Sequence, residues 1–137
     1  MPTYNGTTAG NVFTLNLGDG ASVISDPAGL DSIQLGAGIT TANVSYARLG
    51  DNLIIKYSAT DSVTVTGHFA PDVNGALTNA VETLVYTGGF KVDLVNGIKL
   101  TNIGGDANDV SLGWRGNDFL QGNIGNDTLF GFGGNDI

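Results

Sequence analysis

The chain of 137 residues contains no cysteine, which removes disulfides and thiolate metal ligands together. Basic side chains are scarce: five Lys and Arg stand against 13 Asp and Glu, for a formal net charge of -8. Such a surface repels phosphate backbones and anionic lipid, so neither nucleic acid nor membrane is an expected partner. Divalent cations are favoured instead. Glutamate is nearly missing as well, because every carboxylate except Glu82 is an Asp, the shorter acid that suits tight turns and compact cation cages. His68 is the only histidine, and no Ser, Cys or His cluster has the spacing of a nucleophilic site, so the chain is not expected to be an enzyme. No apolar run is long enough for a membrane helix. Residues 1–11 have neither the basic nor the apolar stretch of a cleavable signal, so export is expected by another route.

What the chain does have is glycine, 22 residues spread among Val, Ile, Leu and Thr. That mixture predicts many short strands with tight turns, an all-β fold with almost no helix. Apolar residues alternate over 11–17, and turns at 18–20, 26–29 and 36–38 fall about one nonapeptide apart, like a worn nine-residue repeat. Residues 44–49 and 53–58, joined by Gly50-Asp51-Asn52, predict a hairpin, and 81–86 with 90–95 predict a second strand, turn, strand. This middle section supplies most of the apolar core.

From Gly104 the repeat is explicit: GGDANDVSL, GWRGNDFLQ, GNIGNDTLF and the incomplete GFGGNDI, with Asn-Asp recurring at Asp109, Asp118, Asp127 and Asp136. Strict self-similarity at a fixed period is a signature of architecture. Glycine permits the positive φ of a tight turn, Asn tolerates the left-handed region, and the apolar residue two after each Asp, Leu120 and Leu129, points into a thin core. With two units per coil, turns on one side stack every eighteen residues, Asp109 over Asp127 and Asp118 over Asp136. Strands lie ~4.8 Å apart and calcium-oxygen distances are ~2.4 Å, so one ion between stacked turns reaches both carboxylates. Magnesium, which demands a stricter octahedron at ~2.1 Å, fits less well. Without metal, stacked carboxylates ~5 Å apart repel by ~3 kcal/mol at an effective dielectric near 20. A core of one or two apolar residues per coil is small against an ordering cost of roughly 1 to 2 kcal/mol per residue. Residues 104–137 are therefore expected to be disordered without calcium and folded with it.

These repeats resemble the RTX, or haemolysin-type calcium-binding, repeats of bacterial exoproteins. Upstream, Gly18-Asp19-Gly20, the stretch from Asp31, Asp51-Asn52-Leu53 and Asp61-Ser62-Val63 resemble the haemolysin-type calcium-binding related region found beside such repeats. The resemblance implies a parallel β-roll, a two-sheet right-handed β-helix, over 104–137, preceded by a strand-rich region with hairpins over 1–103. It implies Ca2+ as the bound ion. One site would take oxygens from Gly105, Ala107 and Asp109 and from Gly122, Ile124 and Asp127; a second would combine Trp114, Gly116 and Asp118 with Gly131, Gly133 and Asp136. Apart from the Asp carboxylates, these ligands are backbone carbonyls. Ala107 in place of glycine, Trp114 and Arg115 within a turn, and Ser111 at a normally apolar position depart from the pattern. Eighteen residues from Asp31 lie Phe13 and Leu49, so no full site is expected in the N-terminal coils; Lys91 falls opposite Asp109 and Leu100 opposite Asp118, so the array is expected to begin at Asp109.

The family implies secretion through a type I channel, unfolded where calcium is scarce, into an extracellular setting. Because the chain stops inside a repeat, it is expected to be part of a larger RTX protein. An alternative is an adhesive or surface-layer segment that binds glycan or protein with calcium. His68 is expected to be a packed residue beside Phe69, Asp26-Pro27 a turn rather than a cleaved bond, and Trp114 and Phe132 packing residues at coil edges.

Overall fold

A computed structural model describes residues 2–137. Thirteen strands run in order: β1 (Thr3–Asn5), β2 (Val12–Leu15), β3 (Ala21–Ser25), β4 (Ser32–Leu35), β5 (Ser45–Leu49), β6 (Asn52–Lys56), β7 (Ser62–Val65), β8 (Thr83–Val85), β9 (Lys91–Asp93), β10 (Thr101–Ile103), β11 (Val110–Leu112), β12 (Phe119–Gln121) and β13 (Thr128–Phe130). The sole helical element among the described residues is a 3-10 turn at Thr41–Asn43. Side chains on a strand alternate between faces, and the sequence obeys that period. Phe13 and Leu15 of β2, Ile33 and Leu35 of β4, and Val63 and Val65 of β7 are buried, with more exposed neighbours between them.

The first four strands alternate between two sheets. One sheet has the order β1-β3-β7-β6-β5 and the other β2-β4-β8-β9. The coil pairs are parallel, while β5-β6, β6-β7 and β8-β9 are antiparallel. The chain is thus a roll interrupted by hairpins, after which coiling resumes as β10-β12 and β11-β13, both parallel. A parallel bridge between Tyr46 and Leu100 carries the edge of the first sheet into the C-terminal coils.

Coil length differs between the two ends. In the C-terminal coils Thr101 faces Phe119 and Val110 faces Thr128, the eighteen-residue stacking expected of two nonapeptides. Upstream, Val12 faces Ser32, a separation of 20, and Ser32 faces Thr83 across the inserted hairpin. The eighteen-residue rule therefore misplaces Asp31. It lies beside Asn11 and Glu82, not beside Phe13 or Leu49.

One apolar cluster fills the space between the sheets, from Phe13 and Leu15 through Leu53 and Ile55 to Leu94, Ile98 and Leu100, with Trp114 packed against it. The repeats add little to it. Leu120 is 9% exposed, while Leu129, in register with the buried Ser111 and so on the inward face, is still 45% exposed. Only β11 pairs with β13, so one side of Leu129 has no neighbouring coil. The interior at the start of the repeats is partly polar: Asn102 accepts from the Arg48 N–H at 2.9 Å and donates to the Leu112 carbonyl at 2.8 Å, and Ser111 of β11 is buried too.

Candidate metal centre

Each repeat unit divides into a six-residue turn and a three-residue strand, with the turns at 104–109, 113–118, 122–127 and 131–136. Within a turn, the sixth-position Asp folds back on the second residue. Asp109 Oδ2 accepts the Gly105 N–H at 2.8 Å, and Asp118 Oδ2 accepts the Trp114 N–H at 2.7 Å. Between turns, the same kind of carboxylate reaches across the stack: Asp127 Oδ1 accepts the Asp109 N–H at 2.8 Å, and Asp136 Oδ1 accepts that of Asp118 at 2.9 Å. Leu100 N–H donates to Asp118 Oδ1 at 2.8 Å, the pairing expected from the spacing.

Carbonyl oxygens converge on the same places. A side chain at Gly104 would meet Asp109 Oδ2 and the Gly122 carbonyl, both at 2.5 Å; at Gly113 it would meet the Gly131 carbonyl at 2.5 Å and Asp118 Oδ2 at 2.6 Å. Gly125 lies against the Ala107 carbonyl, and Gly134 against that of Gly116. The Trp114 carbonyl accepts the Gly133 N–H at 2.9 Å. The structure thus brings the turn of Gly105, Ala107 and Asp109 onto that of Gly122, Ile124 and Asp127. It likewise brings the turn of Trp114, Gly116 and Asp118 onto that of Gly131, Gly133 and Asp136. Ile124 projects its side chain to solvent and is 68% exposed, so only its backbone can serve an ion.

Sequence reasoning missed the second ladder. Asn108 Oδ1 accepts the Asn126 N–H at 2.7 Å, and Asn117 Oδ1 accepts that of Asn135 at 2.8 Å. The recurring Asn was read as a residue for left-handed backbone, yet the non-glycine residues with positive φ are Asn123 and Phe132, at second positions, while Gly125 and Gly134 take it at the fourth. Asn-Asp is instead a pair of opposed hooks, Asn to the turn ahead and Asp to the turn behind. The nine-residue recurrence of both residues was the available signal.

Residues 115–137 match RTX calcium-binding nonapeptide repeats. The matching family is described as RTX calcium-binding nonapeptide repeat (4 copies). No curated protein matches the chain. The repeats coil as a parallel β-roll, and the geometry of their turns suits a hard cation. Among the described residues, no three Asp, Glu, His or Cys side chains gather closely enough to hold a metal by themselves. The RTX turns offer paired Asp carboxylates and converging carbonyls instead, an oxygen-only set appropriate to Ca2+ and its 6–8 ligands. The neutral carbonyls also limit the charge that must be neutralised. Asp118 is 1% exposed, and the only ion pair among the described residues is Arg48 with Asp51 at 3.2 Å, so no salt bridge neutralises the buried RTX carboxylate.

Arg48 seats the RTX segment on the upstream sheets. Its guanidinium donates to the Gly113 carbonyl at 2.9 Å and stands 4.7 Å from the Phe69 ring centroid and 5.4 Å from that of Trp114. Burial pushes its pKa down, an effect that Asp51 and then Asp118 oppose. Trp114 packs on Phe69 at 4.9 Å and donates from Nε1 to the Val95 carbonyl at 2.7 Å. His68 is fully buried between the Leu94 carbonyl and the Val81 N–H, away from the turns.

Proposed function

We propose that this chain is a calcium-dependent folding module of a secreted bacterial protein. It has no catalytic activity of its own, and it orders residues 104–137 when the exported chain meets calcium. The observation that carries this reading is the eighteen-residue stacking of Asp109 on Asp127 and of Asp118 on Asp136, with Gly122 and Gly131 carbonyls brought to the same carboxylates. Such an arrangement is self-repelling without a cation and cohesive with one. The ligands would be Gly105, Ala107, Asp109, Gly122, Ile124 and Asp127 at one site, and Trp114, Gly116, Asp118, Gly131, Gly133 and Asp136 at the other. The rest of a larger protein would carry the effector activity. Type I export fits a segment whose folding waits for millimolar calcium, since extracellular calcium modules typically bind at ~0.1 to 1 mM.

Isothermal calorimetry with Ca2+ tests this. Wild type should show binding coupled to a gain of β signal in circular dichroism, and Asp127→Ala, which removes a carboxylate shared between turns, should lose at least one binding event and part of that gain. Full order of 104–137 in EDTA, or Asp127→Ala binding like wild type, would defeat the proposal.

A further inference from the structure

The N-terminal turns at 6–11 and 26–31 repeat the Asp-side bonds of the RTX turns but not their Asn ladder, since Gly10 and Leu30 stand where those turns have Asn108 and Asn126. Thr7 N–H donates to Asn11 Oδ1 at 2.8 Å, as Gly105 N–H does to Asp109 Oδ2. Asn11 N–H donates to Asp31 Oδ1 at 2.7 Å, as Asp109 N–H does to Asp127 Oδ1. Gly29, with φ 122, lies on the Ala9 carbonyl as Gly125, with φ 130, lies on that of Ala107. Gly6 is crowded by Asn11 Oδ1 and Asp26, as Gly104 is by Asp109 Oδ2 and Gly122.

Eight of the twelve positions differ, among them two that exchange a carboxylate at the stack. Asn11 stands where the C-terminal turn has Asp109, which removes a carboxylate, and Asp26 stands where it has Gly122, which restores one. Asp26 and Asp31 are each 2% exposed, and the Oδ2 atom of each is shut off from solvent without a hydrogen-bond partner. Asp26 Oδ1 is engaged only by the Ala28 N–H, at 3.0 Å, and Asp31 Oδ1 by Asn11. Glu82 binds the backbone beside them, its Oε2 accepting the Asp31 N–H at 2.7 Å, without closing the three acids into a metal-holding cluster. Among the described residues, none of the three forms an ion pair. Burial pushes the Asp26 carboxyl up; the Ala28 N–H opposes this and the neighbouring Asp31 adds to it.

We propose that the stacked turns 6–11 and 26–31 form a further divalent-cation site, fit for calcium, in which Asp26 and Asp31 supply the carboxylates and Asn11 Oδ1 and turn carbonyls complete an oxygen shell. The site rests on reading the RTX turns as calcium sites, because it borrows their geometry. Its coil is 20 residues long rather than eighteen, so the nonapeptide pattern does not reveal it. It also differs in setting: its turns join β1 to β2 and β3 to β4, so both ends of each are held by strands of the upstream sheets.

Equilibrium dialysis of the full chain with Ca2+ tests this by counting ions. Asp26→Asn with Asp31→Asn, which removes charge but not shape, should bind one calcium fewer per chain and keep the calcium-induced gain of β signal. Asp127→Ala with Asp136→Ala should keep one bound calcium, which disappears when the two pairs of substitutions are combined. An unchanged count in the first variant would overturn the proposal and leave a proton shared between Asp26 and Asp31 as what joins them. An RTX variant that keeps its full complement of calcium would overturn the C-terminal reading and not this one. Should the Asn variant fail to fold, Mn2+ added to wild type decides: paramagnetic broadening of the Gly6, Thr7 and Gly29 amides is expected, and broadening confined to residues after Gly104 would sink the site.

Discussion

His68 has neither rotational nor protonation freedom left in this fold. The Leu94 carbonyl, 3.0 Å from Nε2, can only accept, so Nε2 carries the hydrogen; the Val81 N–H, 3.2 Å from Nδ1, can only donate, so Nδ1 is bare. A second proton has no place to go, and burial pushes the pKa from 6.5 down to about 4, with the nearby Arg48 charge acting in the same direction. The unfolded chain binds a proton below 6.5 that the folded chain refuses until about 4. Stability from this residue is therefore fully present above 6.5 and is lost as pH falls towards 4, by roughly 3 kcal/mol in all. An NMR titration of this single imidazole should find it neutral throughout that window. Titration near 6.5 in the folded chain would mean that its two hydrogen bonds are not held.

At the scale of turns and strands, backbone shape matters more than side-chain identity, and two glycines show it. Gly125 has φ 130 and faces the Ala107 carbonyl, so any Cβ there meets both a disfavoured conformation and the stacked turn. Gly105 has open space around it. Gly125→Ala should cost about 1–3 kcal/mol and raise the calcium midpoint for folding followed by circular dichroism, while Gly105→Ala should stay within about 0.5 kcal/mol of wild type. Equal effects would show that turn stacking is not what orders the roll. The same scale explains what was legible in the sequence. Asn-Asp every nine residues disclosed the coils after Gly104, their register and the Asp pairs, because repeat length there equals structural period. Gly50-Asp51 between alternating runs disclosed the β5-β6 hairpin. Asp31 with Glu82 was hidden, because the hairpin inserted between β4 and β8 separates partners in sequence that are adjacent in space. Leu129 takes the inward face its period predicts but stays exposed, because burial requires a neighbour on that face as well.

Across the whole molecule, apolar cohesion is concentrated at one end. The buried cluster lies almost wholly upstream of Gly104, and of the repeat side chains Leu120 is the one large aliphatic buried. The seam is made by Trp114 on Phe69 and by Arg48 on the Gly113 carbonyl, contacts that persist only while the first RTX turns keep their shape. Trypsin reads this division directly, because the five basic residues are Arg48, Lys56, Lys91, Lys99 and Arg115, and Arg115 alone lies within the RTX segment. In the folded roll Arg115 is held by Asn96 Oδ1 at 2.9 Å and by the Trp114 ring at 4.8 Å from its centroid, so cleavage there should be slow when calcium is present. In EDTA the bond after Arg115 should be cut first, at a rate set by the population of the open segment, and emission from the single tryptophan should shift to the red as Trp114 leaves Phe69. Arg48 and Lys56, on paired strands of the first sheet, should resist in both conditions. Equal protection of Arg115 with and without the ion would show that packing at the seam suffices to order the roll; early cleavage at Arg48 in EDTA would show that the upstream sheets need metal too, and would direct attention to Asp26 and Asp31.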